Sequence, residues 1–266
     1  MLEYEFMRYA LFASLLGGAV LGVVGVWIVL MRIPFVGVAM SHAAFAGAVL
    51  GLLFHFNPLV CAMLFSVLSS FLIGPLSEKS DVEPNIAIGI IFSIVLGIAF
   101  LAMGLFQGPK TEALNLIWGN ILLITRYDLF VLSGIFLLIL IFSLIFRREI
   151  KYVLFNRMLA RASGLPERFI FYSILVLTGI SISFNLNTVG GLLIFSLIIN
   201  PPSAAYQLSY TMEGMIILSV FFAILSCVAG IIFSYLFNLP VGSVIILTSG
   251  TIFLLSLLFS PKRRGR

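Results

Sequence analysis

Apolar runs of about 20 residues recur along the chain, separated by short clusters of charged and turn-forming residues. The runs are apolar on all sides. Each is long enough to cross roughly 30 Å of hydrocarbon as a helix. The pattern predicts spans near 9–31, 36–55, 58–76, 85–106, 128–146, 169–186, 189–208, 214–236 and 240–260. An outer-membrane barrel is excluded, because barrel strands are about 10 residues long with dyad alternation. The stretch 111–125, "TEALNLIWGNILLIT", is shorter and more polar, and is expected as a surface helix or a re-entrant segment.

Composition turns this pattern into a class. Of 266 residues, 62% are hydrophobic and 9% charged, against about 45–50% and about 25% in soluble domains. The expected fold class is all-α, a polytopic membrane helical bundle of about eight to nine transmembrane helices. Residues 1–266 read as a single transmembrane domain, with no soluble domain appended and no linker between halves. The N-terminal "MLEYEFMRYA" lacks the basic start and cleavage site of a secretory signal, so the first run is expected to stay as a span. Cys61 and Cys227 lie inside apolar runs, form no CxxC pair and read as small packed thiols.

The charges then orient the chain, since Lys and Arg are retained on the cytoplasmic side. Nine crossings put the two ends on opposite sides. With the C-terminus inside, twelve of the 15 basic residues are cytoplasmic: Arg32, Lys79, the six of 147–168, Lys262, Arg263, Arg264 and Arg266. Only Arg8, Lys110 and Arg126 then lie outside. The protein is expected in the plasma membrane (the inner membrane of a cell with two), with its N-terminus outside. The net charge of +5 reports topology and contact with anionic lipid, not nucleic-acid binding.

Two stretches carry candidate chemistry. Residues 37–47, "GVAMSHAAFAG", lie in the second run. Ala39, Ala43, Gly47 and Gly51 recur every fourth residue, a small-residue stripe that lets a neighbouring helix approach closely. Gly18, Gly22 and Gly25 give the first run a similar surface, so spans one and two are expected to pair tightly. His42 falls roughly 100° around the helix from the stripe. An imidazole at membrane depth has two readings: a ligand or gate on an ion path, or a group bonded to a neighbouring helix as packing. His55, beside Asn57 and Pro58 at the end of the span, reads as an interfacial histidine. The second stretch is the polar interruption 147–168, "RREIKYVLFNRMLARASGLPER". Phe155, Met158, Leu159 and Ala162 share one helical face, Arg157 and Arg161 another, and Gly164 with Pro166 ends the helix. Such a basic amphipathic element either lies on lipid headgroups or docks into a partner's groove.

Other chemistry is missing from the sequence. There is no HExxH and no GxxxxGK[ST]. No acidic residue falls clearly inside a span, unlike proton-coupled carriers. Two histidines, two scattered cysteines and no embedded carboxylate cannot build a dense metal site within one chain. Energy for any pumping is expected from a partner.

Four blocks, in order and spanning nearly the whole chain, resemble the permeases of the ABC-3 family, the binding-protein-dependent importers of zinc, manganese and iron. "GVAMSHAAFAG" is similar to the family's GDA-x-SHA-x-x-x-G, and "FNRMLARASGLP" to its FDPE-x-A-x-x-x-GLP. "VGGLLIFSLIINPPSAA" resembles VG-x-LL-x-x-x-LL-x-x-P-A-x-A, and "FSYLFNLPVGSVIILTSGTIFLLSLLF" resembles SYY-x-D-x-P-x-G-x-x-I. The resemblance implies a transport subunit rather than an enzyme: a homodimer forming one path, with ATP bound and hydrolysed on two copies of a separate ATPase subunit and metal delivered by an extracytoplasmic metal-binding protein. It implies no cofactor bound by this chain, the divalent metal being cargo. His42 matches the family histidine of the metal path, with Ser41, Ser196 and Asn200 as further path candidates. Phe155, Asn156, Arg157, Met158, Leu159, Arg161 and Gly164 match the coupling element that docks into the ATPase.

Departures from the family pattern include several amides and one valine. Val38 replaces the aspartate four residues before the histidine, Asn156 the aspartate of the loop, and Asn238 the acidic position of the tail. Asn120 stands in an "FGD" position, and Asn200 adds an amide before Pro201. Asn200, Ser196 or Asn187 could supply oxygen in place of the missing carboxylate. A histidine without its carboxylate leans toward zinc over hard manganese. The competing expectations are a self-sufficient secondary metal carrier or channel, and a scaffold that recruits a soluble protein through 147–168.

Overall fold

The structure is a computed structural model and describes residues 5–79, 83–106, 124–189 and 191–262. Most of 111–125, including Asn120, lies outside these residues, as do Lys110 and the basic tail beyond Lys262. So do the side chains of Lys79 and Asn187. The described residues form helices and no strand. The long ones are α1 (Glu5–Leu30), α2 (Phe35–Leu53), α3 (Pro58–Lys79), α4 (Pro84–Leu105) and α5 (Arg126–Ile145). After two short helices, α6 (Arg147–Phe155) and α7 (Arg157–Ala162), come α8 (Glu167–Val189), α9 (Gly191–Leu208), α10 (Met212–Phe237) and α11 (Val241–Leu258).

Eight of these helices are long and apolar enough to cross a membrane. The expected span 189–208 corresponds to α9, which is not among the eight. Its second half carries Asn200, Pro201, Pro202, Tyr206 and Gln207, and these cut its apolarity. Local chemistry sets the ends. Thr125 and Asp128 form a reciprocal capping box at the start of α5, Pro84 opens α4, and Thr211 caps α10. Left-handed backbone at Arg32, His55 and Asn238 follows the ends of α1, α2 and α10.

α1 and α2 are the inner helices. In their most apolar windows 78% and 72% of residues are buried, against 17% for α5 and 22% for α11, which present Phe130, Leu144 and Leu247 outward. Small residues permit this central position, but they do not pair α1 with α2 as expected. A Cβ on Gly47 would collide with the carbonyl of Cys61, and one on Gly51 would stand 2.9 Å from Cα of Pro58, so the α2 stripe receives α3. A Cβ on Gly22 would lie 3.0 Å from Cα of Val220, and one on Gly25 would collide with the Ile198 carbonyl, so the α1 stripe receives α10 and α9. Lipid gives apolar side chains no reason to prefer one another over lipid tails. Close backbone approach therefore decides which helices pair.

The packing sorts the long helices into two sub-bundles. α2, α3, α4 and α8 form one, and α1, α9, α10 and α11 the other, with α5 against α1. At one end of the molecule the turn at Arg32, the start of α4, the α6–α7 junction, Phe171 and Tyr206 line a common cavity, and Lys262 lies over the Tyr206 ring. At the other, Arg126 pairs with Glu5 and Tyr9. Gly47→Leu should drive α2 off the Cys61 backbone, costing about 1–3 kcal/mol or more and lowering the thermal unfolding midpoint in detergent. Gly97→Ala, where an added Cβ meets nothing within 4 Å, should leave that midpoint unchanged or raise it.

Candidate functional site

His42 lies two turns into α2, half-buried, on the side away from α3. Its ring meets Phe92 of α4 edge-on at 5.2 Å between centroids. Beside it opens a cavity of about 220 Å³ lined by Val38, Ser41, His42, Phe45, Leu186, Gly191 and Phe195. Three walls come from α2 and α8 of one sub-bundle and α9 of the other, so the cavity sits on the seam between them. His55, by contrast, is exposed at the end of α2.

The cavity is mostly apolar. Ser41, which lines the cavity, donates its hydroxyl to the Val38 carbonyl at 2.9 Å, so its oxygen keeps acceptor capacity. Val38, four residues before His42, lines the same space, so the absent carboxylate is absent from this wall and not merely from the sequence pattern. Among the described residues no three His, Cys, Asp or Glu side chains cluster to hold a metal. One imidazole and one hydroxyl make a partial ligand set; zinc takes four ligands. A cation here would keep much of its water or take ligands from a second copy of the chain.

Ser196 and Asn200 are placed elsewhere. Asn200 Nδ2 donates to Ser196 Oγ and Ser249 Oγ, each at 3.0 Å, and the two hydroxyls lie 2.7 Å apart. Ser249 Oγ donates to the Ile246 carbonyl at 2.8 Å. With Ser196 donating to Ser249, every proton of the cluster has an acceptor, and the cluster joins α9 to α11. It does not line the His42 cavity. Ser249 was not foreseen: a serine inside an apolar run carries no signal of its cross-helix partner.

The elbow 147–168 also departs from expectation. The single helix through Phe155, Met158, Leu159 and Ala162 is broken at Asn156, whose extended backbone (φ −161°) ends α6. The Asn156 side chain then accepts from Leu159 N at 3.0 Å and caps α7. An amide does here what the family's aspartate would do, since both are strong N-caps. Gly164 follows with φ +73°, a left-handed turn that glycine adopts without strain. Phe155, Met158 and Leu159 are 66%, 85% and 60% exposed, while Ala160 is buried. Arg161 is exposed, but Arg157 turns inward. Its Nη2 and Nε reach Glu167 Oε2 at 2.9 and 3.1 Å, and its guanidinium lies 3.8 Å from the centre of the Phe171 ring. Glu167 was not singled out in the sequence.

A bundle of membrane-crossing helices with a lone imidazole on an internal seam, and an apolar-tipped basic elbow at one end, defines a membrane transport subunit rather than an enzyme. The model of the ABC 3 transport family matches residues 3–260, and the chain belongs to that family. It is 31% identical over 263 residues to the manganese transport system membrane protein MntC of Halalkalibacterium halodurans, covering 99% of this chain and 90% of the relative. It is 30% identical to the manganese import system permease protein ScaB of Streptococcus gordonii, covering 98% and 94%. Among solved structures, PsaBC from Streptococcus pneumoniae in complex with Fab superposes with a TM-score of 0.86 at 31% identity, covering 98% of this chain and 94% of the other.

Ser249→Ala should orphan one Asn200 proton, with the Ser196 hydroxyl turning back onto its own helix, and cost about 1 kcal/mol. Ser249→Ala combined with Asn200→Leu should recover most of that loss. A double-mutant cycle of thermal unfolding in detergent measures both.

Proposed function

We propose that this chain is the membrane-spanning permease of an ATP-driven divalent transition-metal importer, with manganese as cargo. The observation that carries the reading is His42, an imidazole two turns inside a family-typical helix, opening on a cavity at the seam between two sub-bundles. Two copies form one path, so the twofold axis brings a second His42. Two ATPase subunits drive it from the cytoplasm, and an extracytoplasmic binding protein delivers the metal.

Manganese rests on full-length likeness to relatives named for manganese transport. The bare site chemistry leans instead toward zinc, because no carboxylate joins the imidazole. The two fit together if this cavity passes the metal rather than selects it. A site with few ligands holds a cation loosely, and loose holding permits release. Selection then belongs upstream, in the binding protein.

Orientation follows from the basic residues. Arg32, Arg147, Arg157 and Lys262 belong to one end of the structure, which suits the cytoplasmic side. That end also presents Phe155, Met158 and Leu159. A helix of six residues is too short to float as an amphipathic anchor on headgroups, so the exposed tip suits the groove of an ATPase. The described acidic residues stand at helix ends or beyond them, which counts against a proton-coupled carrier.

His42→Ala should cut ATP-dependent manganese uptake by reconstituted complexes at least fivefold while the ATPase still co-purifies. Wild-type uptake with competing zinc checks the cargo: displacement of manganese at equal concentration would move the assignment to zinc. Phe155→Glu with Met158→Glu should abolish ATPase co-purification. Uptake by the chain alone, without ATPase or nucleotide, would establish the carrier reading instead.

A further inference from the structure

Two ion pairs, one at the start of the elbow and one at its middle, attach it to different sub-bundles. Arg147, at the start of α6, reaches Glu213 of α10 at 2.9 Å. Arg157, just past the Asn156 break, reaches Glu167 of α8 at 2.9 Å. α10 packs with α1, α9 and α11, whereas α8 packs chiefly on α3 and α2, with lesser contact to α1 and α9 across the seam. The elbow therefore bridges the seam on which the His42 cavity lies.

The two attachments differ in strength. The Arg147 and Glu213 side chains are 64% and 37% exposed, a setting in which ion pairs contribute little. Those of Arg157 and Glu167 are 30% and 7% exposed, and Phe171 covers the guanidinium face. The Glu167 carboxylate also lies in the first turn of α8, where the helix dipole favours negative charge. Neighbouring residues lock the same turn into the membrane body. Phe169 packs on Phe146 at 5.8 Å, and Tyr172 stacks on Phe71 of α3 at 6.0 Å. From there α8 runs on to Leu186, in the wall beside His42. Along the way Ser66 of α3 donates to the Gly179 carbonyl at 3.1 Å.

We propose that Arg157, Glu167 and Phe171 form a clamp that transmits displacement of the elbow to the sub-bundle bearing His42, with Asn156 as the pivot and Arg147–Glu213 as the weaker tether to the other sub-bundle. Movement of Met158 and Leu159 then shifts α8, α2 and α3 together against α9, widening or closing the seam. Arg157 and Glu167 are positioning residues and touch no metal. The proposal rests on the permease reading given above.

The test compares wild-type complex with Glu167→Gln, Arg157→Lys and the exchanged pair Arg157→Glu with Glu167→Arg. Manganese uptake and ATP hydrolysis are measured in the same proteoliposomes, with ATPase co-purification as the assembly control. Glu167→Gln should keep the ATPase bound and hydrolysing but lower manganese moved per ATP at least fivefold. Arg157→Lys, which keeps the charge, should retain an intermediate ratio, and the exchanged pair, which sets a cation at the α8 N-terminus and an anion over Phe171, should fall below it. An unchanged ratio in Glu167→Gln overturns the clamp. So does loss of uptake in strict proportion to lost assembly, which marks the pair as purely structural. Wild-type complex that hydrolyses ATP yet moves no metal removes the permease reading instead, and the clamp with it.

Discussion

The structure depends on backbone-to-backbone contact made through glycine. In lipid, apolar side chains pack on tails as readily as on one another, so a helix reaches the centre of the bundle only where its neighbours can come close. Gly47 and Gly51 seat α2 on the first turns of α3, and Gly22 and Gly25 seat α1 on α10 and α9. These contacts fix each sub-bundle internally, and Gly37 of α2 comes close to Ile198 of α9 where the two meet. His42 opens on the cavity at that seam because it points away from the glycine face that seats α3.

The membrane also dictates how polar groups are handled. Most hydroxyls in the spans close onto their own helix, as Thr178 does on Ile174, Ser181 on Leu177 and Ser143 on Ile139. Asn200, just before Pro201 and Pro202, divides its two protons between Ser196 Oγ on its own helix and Ser249 Oγ on α11, and so ties α9 to α11. Its use as inter-helix glue leaves the His42 cavity without an amide, and the path wall correspondingly poor in oxygen.

What the sequence made readable follows from this division. Span positions, the placing of His42 away from the small-residue stripe, and the glycine stop at Gly164 all come from local periodicity and local turn chemistry, which the sequence carries directly. The partner of each stripe was not readable: α1 and α2 both present small residues, and nothing local says that each will choose a different neighbour. α9 was counted as a full span because its first half is strongly apolar, while the Pro-Pro break and polar second half count against it. Ser249 and Glu167 act through residues 49–53 and 10 positions away in the chain, and such pairings appear only when the helices are packed.

The elbow shows how a departure from a family pattern can preserve physics at one atom and change it at the next. Asn156 keeps the cap that begins α7, because an amide oxygen accepts from Leu159 N as a carboxylate oxygen would. Arg157, in the proline position of the family's loop motif, does something proline cannot: it extends a charge inward to a carboxylate buried at the head of α8. Glu167 is buried and Phe171 covers the guanidinium, so this ion pair holds the elbow to α8 more firmly than an exposed pair would. On the one short helix that follows Asn156, an inward-bound Arg157 and exposed Met158 and Leu159 make the elbow rigid where it meets α8 and free where it meets the partner. A transmitting element requires that asymmetry.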